Sequence, residues 1–284
     1  MRAAVLGSPI EHSLSPALHR AAYAAAGLSW RYDRIELRDA QLSDFLATLT
    51  DDWAGLSLTM PLKVAAVELA DWVDPQAQLL GVANTLVCPH APGRGARAEG
   101  LAAYNTDVFG IERALTSAGI HEVPRGVVLG AGATARSALA ALANIGAEHV
   151  TVVARRPTVA ADLVALGQAL GVSVQIAPWS EVADTWPESA WPADEPAVTV
   201  STVPAGAADE VAGALSGYPQ PPRGALLDVV YHPWPTALAA AWPGQVINGL
   251  EMLVWQAVAQ VRLMAGIEPE VAAMRAAVGL PTAA

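Results

Sequence analysis

Apolar and polar residues alternate along this chain with two periods. Short aliphatic and aromatic runs, "AAVLG" (3–7), "WRYDRIEL" (30–37), "GLSLTM" (55–60) and "GVANTLVC" (81–88), predict extended segments. Residues 16–26, 41–49 and 63–72 carry helical spacing, and Gly27 closes the first of these helices. The polar stretch "PHAPGRGARAEG" (89–100) predicts a hairpin tip or a connection. A second alternation follows: helix 107–118, strand 126–130, helix 134–145, strand 149–155, helix 158–170, strands 173–177 and 197–202, helix 207–215, strand 225–231, a helix from 235 and strand 244–248. A long helix over 250–266 is apolar on more than one face, and a short one over 268–278 ends the chain. Residues 178–196 hold Trp179, Trp186 and Trp191 among prolines and acids and read as a surface loop with tucked rings. Short apolar strands between helices imply an α/β fold with buried parallel sheets and right-handed crossovers.

The segment "VVLGAGATARSALAAL" places Gly130, Gly132 and Ala135 after an apolar strand and at a helix start. Small residues there permit a tight turn and close approach of a pyrophosphate to backbone N–H groups at the helix N-terminus. The bland alternative is a βα turn that binds nothing. The next strand ends in "VVARRP" with Arg155 and Arg156 and no acid. Binders of NAD place Asp or Glu there, whereas guanidiniums suit the 2′-phosphate of NADP. Solvated surface charges are the competing account of the two arginines.

Composition narrows the partners. With 284 residues, two domains or one large one are expected, and the 53% hydrophobic fraction is ample for a buried core. A formal net charge of −11 disfavours nucleic acid and anionic membrane surfaces. The single cysteine, Cys88, allows no internal disulfide and fits a reducing cytoplasm. No apolar run approaches a membrane span, and the N-terminus lacks a signal-like core, so a soluble cytoplasmic protein is expected.

Polar groups cluster where strands end. "GSPIEHSLSPALH" sets Ser13 and Ser15 about a helix start, with Ser15-Pro16 reading as N-cap and first helical residue. The two hydroxyls beside helix N–H groups also suit a carboxylate. His12 and His19 read as packing or capping groups. Thr59 and Lys63 follow the third strand in "LTMPLK"; Asn84 lies in "VANTL"; Asn105, Thr106 and Asp107 open a helix in "YNTD". Capping and turn roles compete at each, with Thr106 as the N-cap. Lys63 is the chain's sole lysine. A cation at a helix N-terminus opposes the dipole by about 0.3–1 kcal/mol, a cost that argues for a use.

Taken in order, "GSPIEHSLSP", "LTMPLK", "GVANT", "NTD", "GAGATAR", a basic strand end, "DVVYHPWPT" and "NGLEMLVWQ" resemble the shikimate dehydrogenase family over nearly the whole chain. The resemblance implies a two-domain α/β protein. Residues 1–105 with 249–284 would form the substrate domain and 106–248 a Rossmann-like NADP-binding domain, with the active site in the cleft between. It implies reversible reduction of 3-dehydroshikimate to shikimate by NADPH, with Lys63 and Asp107 as the catalytic pair. Ser13 and Ser15 would hold the substrate carboxylate; Thr59, Asn84, Asp107 and Gln256 its ring hydroxyls; Tyr231 would lie near it. Gly130, Gly132, Ala133, Arg155 and Arg156 would hold NADP, with Gly249 and Met252 near the nicotinamide; no metal is implied. The family includes monomers and homodimers. Departures are Ser57 and Ala154 where many members have Asn, Arg156 where many have Thr, and Glu251 for a common Gly. A family member that uses NAD and oxidises quinate as well as shikimate, one with an amino-acid-like substrate, and a non-catalytic dinucleotide sensor are the rival readings.

Overall fold

The computed structural model of the chain describes residues 1–94, 100–156, 161–184, 197–217 and 224–282. Two compact units emerge, Met1–Gly110 with Leu253–Ala284 and Ile111–Met252.

The first unit is built on strands β1 (Arg2–Gly7), β2 (Arg31–Glu36), β3 (Trp53–Leu58), β4 (Trp72–Val73), β5 (Thr85–Val87) and β6 (Ala102–Tyr104), in the order β2-β1-β3-β5-β6-β4. Successive β1 residues face opposite ways: Val5 packs with Leu18, Tyr23, Tyr32 and Val258, and Leu6 with Leu42, Leu56, Leu62 and Leu86. Both faces are therefore covered, which is why β1 and β3 read as continuous apolar runs. Helices α1 (Ser15–Ala25), α2 (Asp39–Leu46), α3 (Ala65–Leu69) and α4 (Pro75–Leu80) connect the strands.

The sheet differs from the expected parallel one. β1, β2 and β3 are parallel, but β5 runs antiparallel to both β3 and β6. The predicted helix 63–72 is broken. Its C-terminal end is drawn onto β6, where the N–H groups of Asp71 and Trp72 bond the Leu101 carbonyl and the Asp71 carboxylate takes Leu101 N–H at 2.6 Å. Lys63 thus sits in the turn ahead of α3 rather than inside a helix.

The second unit carries β7 (Arg125–Leu129), β8 (His149–Ala154), β9 (Ser173–Pro178), β10 (Ala197–Ser201), β11 (Ala225–Asp228) and β12 (Val246–Asn248). Every pairing is parallel, in the order β12-β11-β10-β7-β8-β9. This is the doubly wound Rossmann order, with its topological switch between β7 and β10. Helices α5 (Asp107–Ser117), α6 (Ala133–Asn144), α7 (Ala161–Leu170), α8 (Trp179–Asp184), α9 (Asp209–Ala214) and α10 (Ala237–Ala241) lie between strands; α11 (Gly249–Ala265) and α12 (Val271–Ala277) follow the last. Both breaks between the units fall within helices, α5 and α11. Residues 179–184, expected as loop, form α8, and Trp179 is buried against Val182, Val211 and Leu215. Trp186 and Trp191 lie outside the described residues.

One core group gives the first unit a pH dependence. His19 is fully buried, stacked on Tyr32 with ring centroids 4.0 Å apart, and its Nδ1 bonds the Ser15 carbonyl at 2.9 Å. Its Nε2 has no partner among the described residues, so a second ring proton would sit in an apolar core. Burial accordingly lowers its pKa from 6.5 to about 4. Protons bind the unfolded chain more readily, so the contribution is complete above pH 6.5 and is lost as pH falls towards 4. Up to about 3 kcal/mol is at stake. Urea unfolding of His19→Gln across this range is expected to show a shallower acid loss than the parent; an equal slope would contradict it.

Candidate active site

The polar side chains singled out in the first unit meet at one edge of its sheet. β1, β3 and β6 end there and β5 begins there, because β5 runs the other way. The register Ser57↔Thr85↔Tyr104 sets the residue before β5, Asn84, beside the residues after β6. Lys63 Nζ donates to Asp107 Oδ2 at 2.6 Å. Both are largely withdrawn from water, with side chains 12% and 5% exposed. Asn84 Nδ2 donates to Asp107 Oδ1 at 2.7 Å and to Thr106 Oγ1 at 2.9 Å. The Gln256 amide oxygen lies 3.4 Å from the same nitrogen, and Gln256 Nε2 is tied to the Leu253 carbonyl of its own helix. Capping of α5 falls to Asn105, whose Oδ1 accepts from Asp107 and Val108 N–H. Thr106, expected as the cap, instead donates its N–H and hydroxyl to Asn84 Oδ1.

Thr59 is half-buried beside Gly7, at the ends of β3 and β1. Ser15 was expected as the N-cap, but Leu14 holds that place, with Ser15 in the first turn and Pro16 behind it. The Ser15 N–H points at Ser13 Oγ, 3.4 Å away, and Arg34 Nε donates to the Ser13 carbonyl at 2.8 Å. The serine turn is thereby pinned to β2.

In the second unit, β7 runs into the glycine turn and then α6. Gly130 has φ +108°, and a Cβ there would press on the Thr202 hydroxyl at 2.6 Å. A side chain is excluded by conformation and by space. At Gly132, the N-cap of α6, a Cβ would meet nothing within 4 Å. The helix start carries no side-chain cap and no acid in its first turn, and Ala133 is its first residue. Arg155 and Arg156 follow β8 and are exposed. A dipole-bearing helix start with open space over its glycine, next to two exposed guanidiniums, fits a phosphorylated dinucleotide.

Tyr231 is half-buried in the loop after β11. The anchor of that loop, Asp228, was not foreseen. Its buried carboxylate accepts from Thr236 Oγ1 at 2.6 Å and from Val230 N–H at 3.2 Å, and desolvation raises its pKa. These bonds end β11 at Asp228, short of the predicted 231. Gly249 opens α11 against the Val229 carbonyl, too close for a Cβ, and Met252 is buried one turn on. Also unforeseen were Tyr32 and Gln260, which bond in the core with Ser57, noted above as a departure, and with Thr85, the neighbour of Asn84 in "VANTL". A sequence signal existed for Gln260, a polar residue four places after Gln256 on an otherwise apolar helix face.

A Rossmann unit with a phosphate-ready glycine turn, joined to a mixed-sheet unit with a buried lysine–aspartate pair, defines a dinucleotide-dependent oxidoreductase. Family models place it more closely. Residues 5–86 match the shikimate dehydrogenase substrate binding domain, and residues 249–278 match the shikimate 5′-dehydrogenase C-terminal domain. A shikimate dehydrogenase (NADP(+)) of Thermus thermophilus is 34% identical over 280 residues, covering 98% of this chain and 97% of that one. Among solved structures, Mycobacterium tuberculosis shikimate dehydrogenase superposes with a TM-score of 0.82 at 42% identity, over 98% of each chain. A shikimate 5-dehydrogenase of Thermus thermophilus, in complex with NADP(H) and shikimate, gives 0.77 at 32% identity, again over 98% of each. The chain belongs to the shikimate dehydrogenase family.

Proposed function

We propose that this chain catalyses the reversible NADPH-dependent reduction of 3-dehydroshikimate to shikimate, a step of aromatic amino acid biosynthesis. The observation that carries the reading is the buried Lys63–Asp107 pair, 2.6 Å apart, in a chain that matches a shikimate dehydrogenase over 98% of its length. NADPH, when bound, supplies the hydride. Lys63 places an ammonium at the substrate carbonyl oxygen, stabilises the charge that grows there and releases a proton to it. Arginine could supply the first service but not the second, because a guanidinium keeps its proton. Asp107 orients the amine and, with Thr59, Asn84 and Gln256, takes the ring hydroxyls. Ser13 and Ser15 hold the carboxylate, and Tyr231 flanks the substrate.

The substrate domain comprises residues 1–105 with 249–284 and the NADP domain residues 106–248. Gly130, Gly132 and Ala133 receive the pyrophosphate, Arg155 and Arg156 the 2′-phosphate, and Gly249 and Met252 border the nicotinamide. The same reading places the enzyme in the cytoplasm as a monomer or homodimer. No helix among the described residues is long and apolar enough to cross a membrane.

Reduction of NADP by shikimate, followed photometrically beside quinate and NAD, tests the proposal. Shikimate with NADP is expected to be the fastest combination. Quinate with NAD winning would transfer the reading to quinate oxidation, and NADP binding without turnover would make the chain a sensor. Arg155→Ala is expected to raise the KM for NADP by about 10- to 100-fold, the size of a lost charge-assisted hydrogen bond, and to leave NAD within about twofold. Equal losses for both cofactors would remove the phosphate clamp.

A further inference from the structure

Behind the lysine–aspartate pair runs a chain of hydrogen bonds through the core of the first unit. Tyr32 Oη donates to Ser57 Oγ at 2.5 Å, and Ser57 donates to Gln260 Oε1 at 2.7 Å. Gln260 Nε2 donates to Thr85 Oγ1 at 3.0 Å, and Thr85 donates to Asn84 Oδ1 at 3.0 Å. Asn84 Nδ2 closes the sequence on Asp107 Oδ1. Tyr32, Ser57, Thr85, Asn84 and Gln260 are all buried.

Two backbone groups fix the direction of this chain. Gln260 Nε2 also faces the Asn84 carbonyl at 3.3 Å, which can only accept, so the other end of the amide, Oε1, must face Ser57. Ser57 must then donate to Gln260 and accept from Tyr32. Asn84 Oδ1 faces the Thr106 N–H at 2.7 Å, which can only donate, so the Asn84 amino group must face Asp107. Every proton along the path therefore points towards the carboxylate. Bonds aligned in this way polarise one another in a low-dielectric interior. A core needing only volume would be filled by apolar side chains without the desolvation cost of five polar ones.

We propose that Tyr32, Ser57 and Gln260 are positioning residues for the reaction. Acting through Thr85, they reinforce the grip of the Thr106 N–H on Asn84 Oδ1, which keeps the Asn84 amino group on Asp107 Oδ1 and leaves Oδ2 to Lys63. The proposal rests on the reading of Lys63 and Asp107 as the acid–base centre. Tyr32 contributes from β2, Ser57 from β3 and Gln260 from α11, so three elements converge on one carboxylate.

The test is a double-mutant cycle on the full-length enzyme, read as kcat and KM for shikimate at saturating NADP. Gln260→Leu is expected to lower kcat by about 10- to 100-fold, the size of leaving buried hydrogen-bond partners unsatisfied, with KM within about threefold. Tyr32→Phe, which removes one neutral hydrogen bond, is expected to lower kcat by about three- to tenfold. The double variant should fall no further than Gln260→Leu alone, because both act through one path. Tyr23→Phe is the control: Tyr23 lies in the same core, and its hydroxyl has no partner among the described residues. Its kcat should match the parent. If Gln260→Leu does not fold, Ser57→Ala replaces it in the cycle. Additive losses, a change confined to KM, or kcat within about twofold of the parent in both single variants would overturn the proposal. A parent that turns over shikimate and dies with Lys63→Ala, while the relay variants stay active, sinks the relay alone. A parent inactive on shikimate removes both readings.

Discussion

Lys63→Ala is expected to lower kcat for shikimate oxidation by about 10³-fold and to leave the KM for shikimate within about threefold, since positioned acid–base groups contribute roughly 10²–10⁴. The side chain is 12% exposed and held against Asp107, so the amine is fixed before any substrate arrives. Its worth lies in the charge that develops at the carbonyl oxygen, which is a transition-state interaction, and such losses appear in kcat. Lys63→Arg sharpens the point. It keeps the positive charge and can pair with Asp107, yet cannot give up a proton at working pH. It is expected to recover less than about a tenth of the parent kcat. Steady-state kinetics in both directions decide the matter. A KM raised about 100-fold with kcat intact would make Lys63 a binding group and end the acid–base reading.

How much of this could be read in the chain depends on the distance over which each feature is encoded. The glycine turn at 130–132 and the strands about it are local patterns, and β7, β8 and β10 lie within a residue or two of their predicted spans. The parallel order of the second sheet follows from strands separated by helices, which force crossovers. In the first unit the reading weakened. β4 and β6 have two and three residues, too few to display a period, and the antiparallel sense of β5 leaves no trace in its own side chains. That sense matters, because it sets Asn84 beside Asp107. The motifs holding Lys63, Asn84 and Asp107 were each legible, but their meeting depends on the register of β5 against β6. Tyr32 and Ser57 stand near one end of the chain and Gln260 near the other, and only Ser57 borders a motif, "LTMPLK", so only the fold makes them one path.

Asp107→Asn is expected to lower kcat by about 10²–10³-fold and also to destabilise the protein, by about 3 kcal/mol. The two effects have different origins. The carboxylate accepts from Lys63 on one oxygen and from Asn84 on the other. An amide in its place keeps the shape but offers one oxygen and one amino group, so either Lys63 or Asn84 must face a donor. In either orientation a largely buried ammonium loses its counter-charge; with the amide oxygen on Lys63 two amino groups oppose at Asn84, and with it on Asn84 the ammonium also faces an amino group. Removing the charge as well separates stability from chemistry. Lys63→Met in the Asp107→Asn background is expected to restore most of the stability, since no unpaired ion remains, and none of the turnover. Chemical denaturation and kcat on the same three proteins provide the comparison. Were the double variant as unstable as Asp107→Asn, the cost would lie in the Asn84 contact rather than in the ion pair. Were Asp107→Asn fully active, the carboxylate would have no part in the reaction, and the pairing at 2.6 Å would be a feature of packing alone.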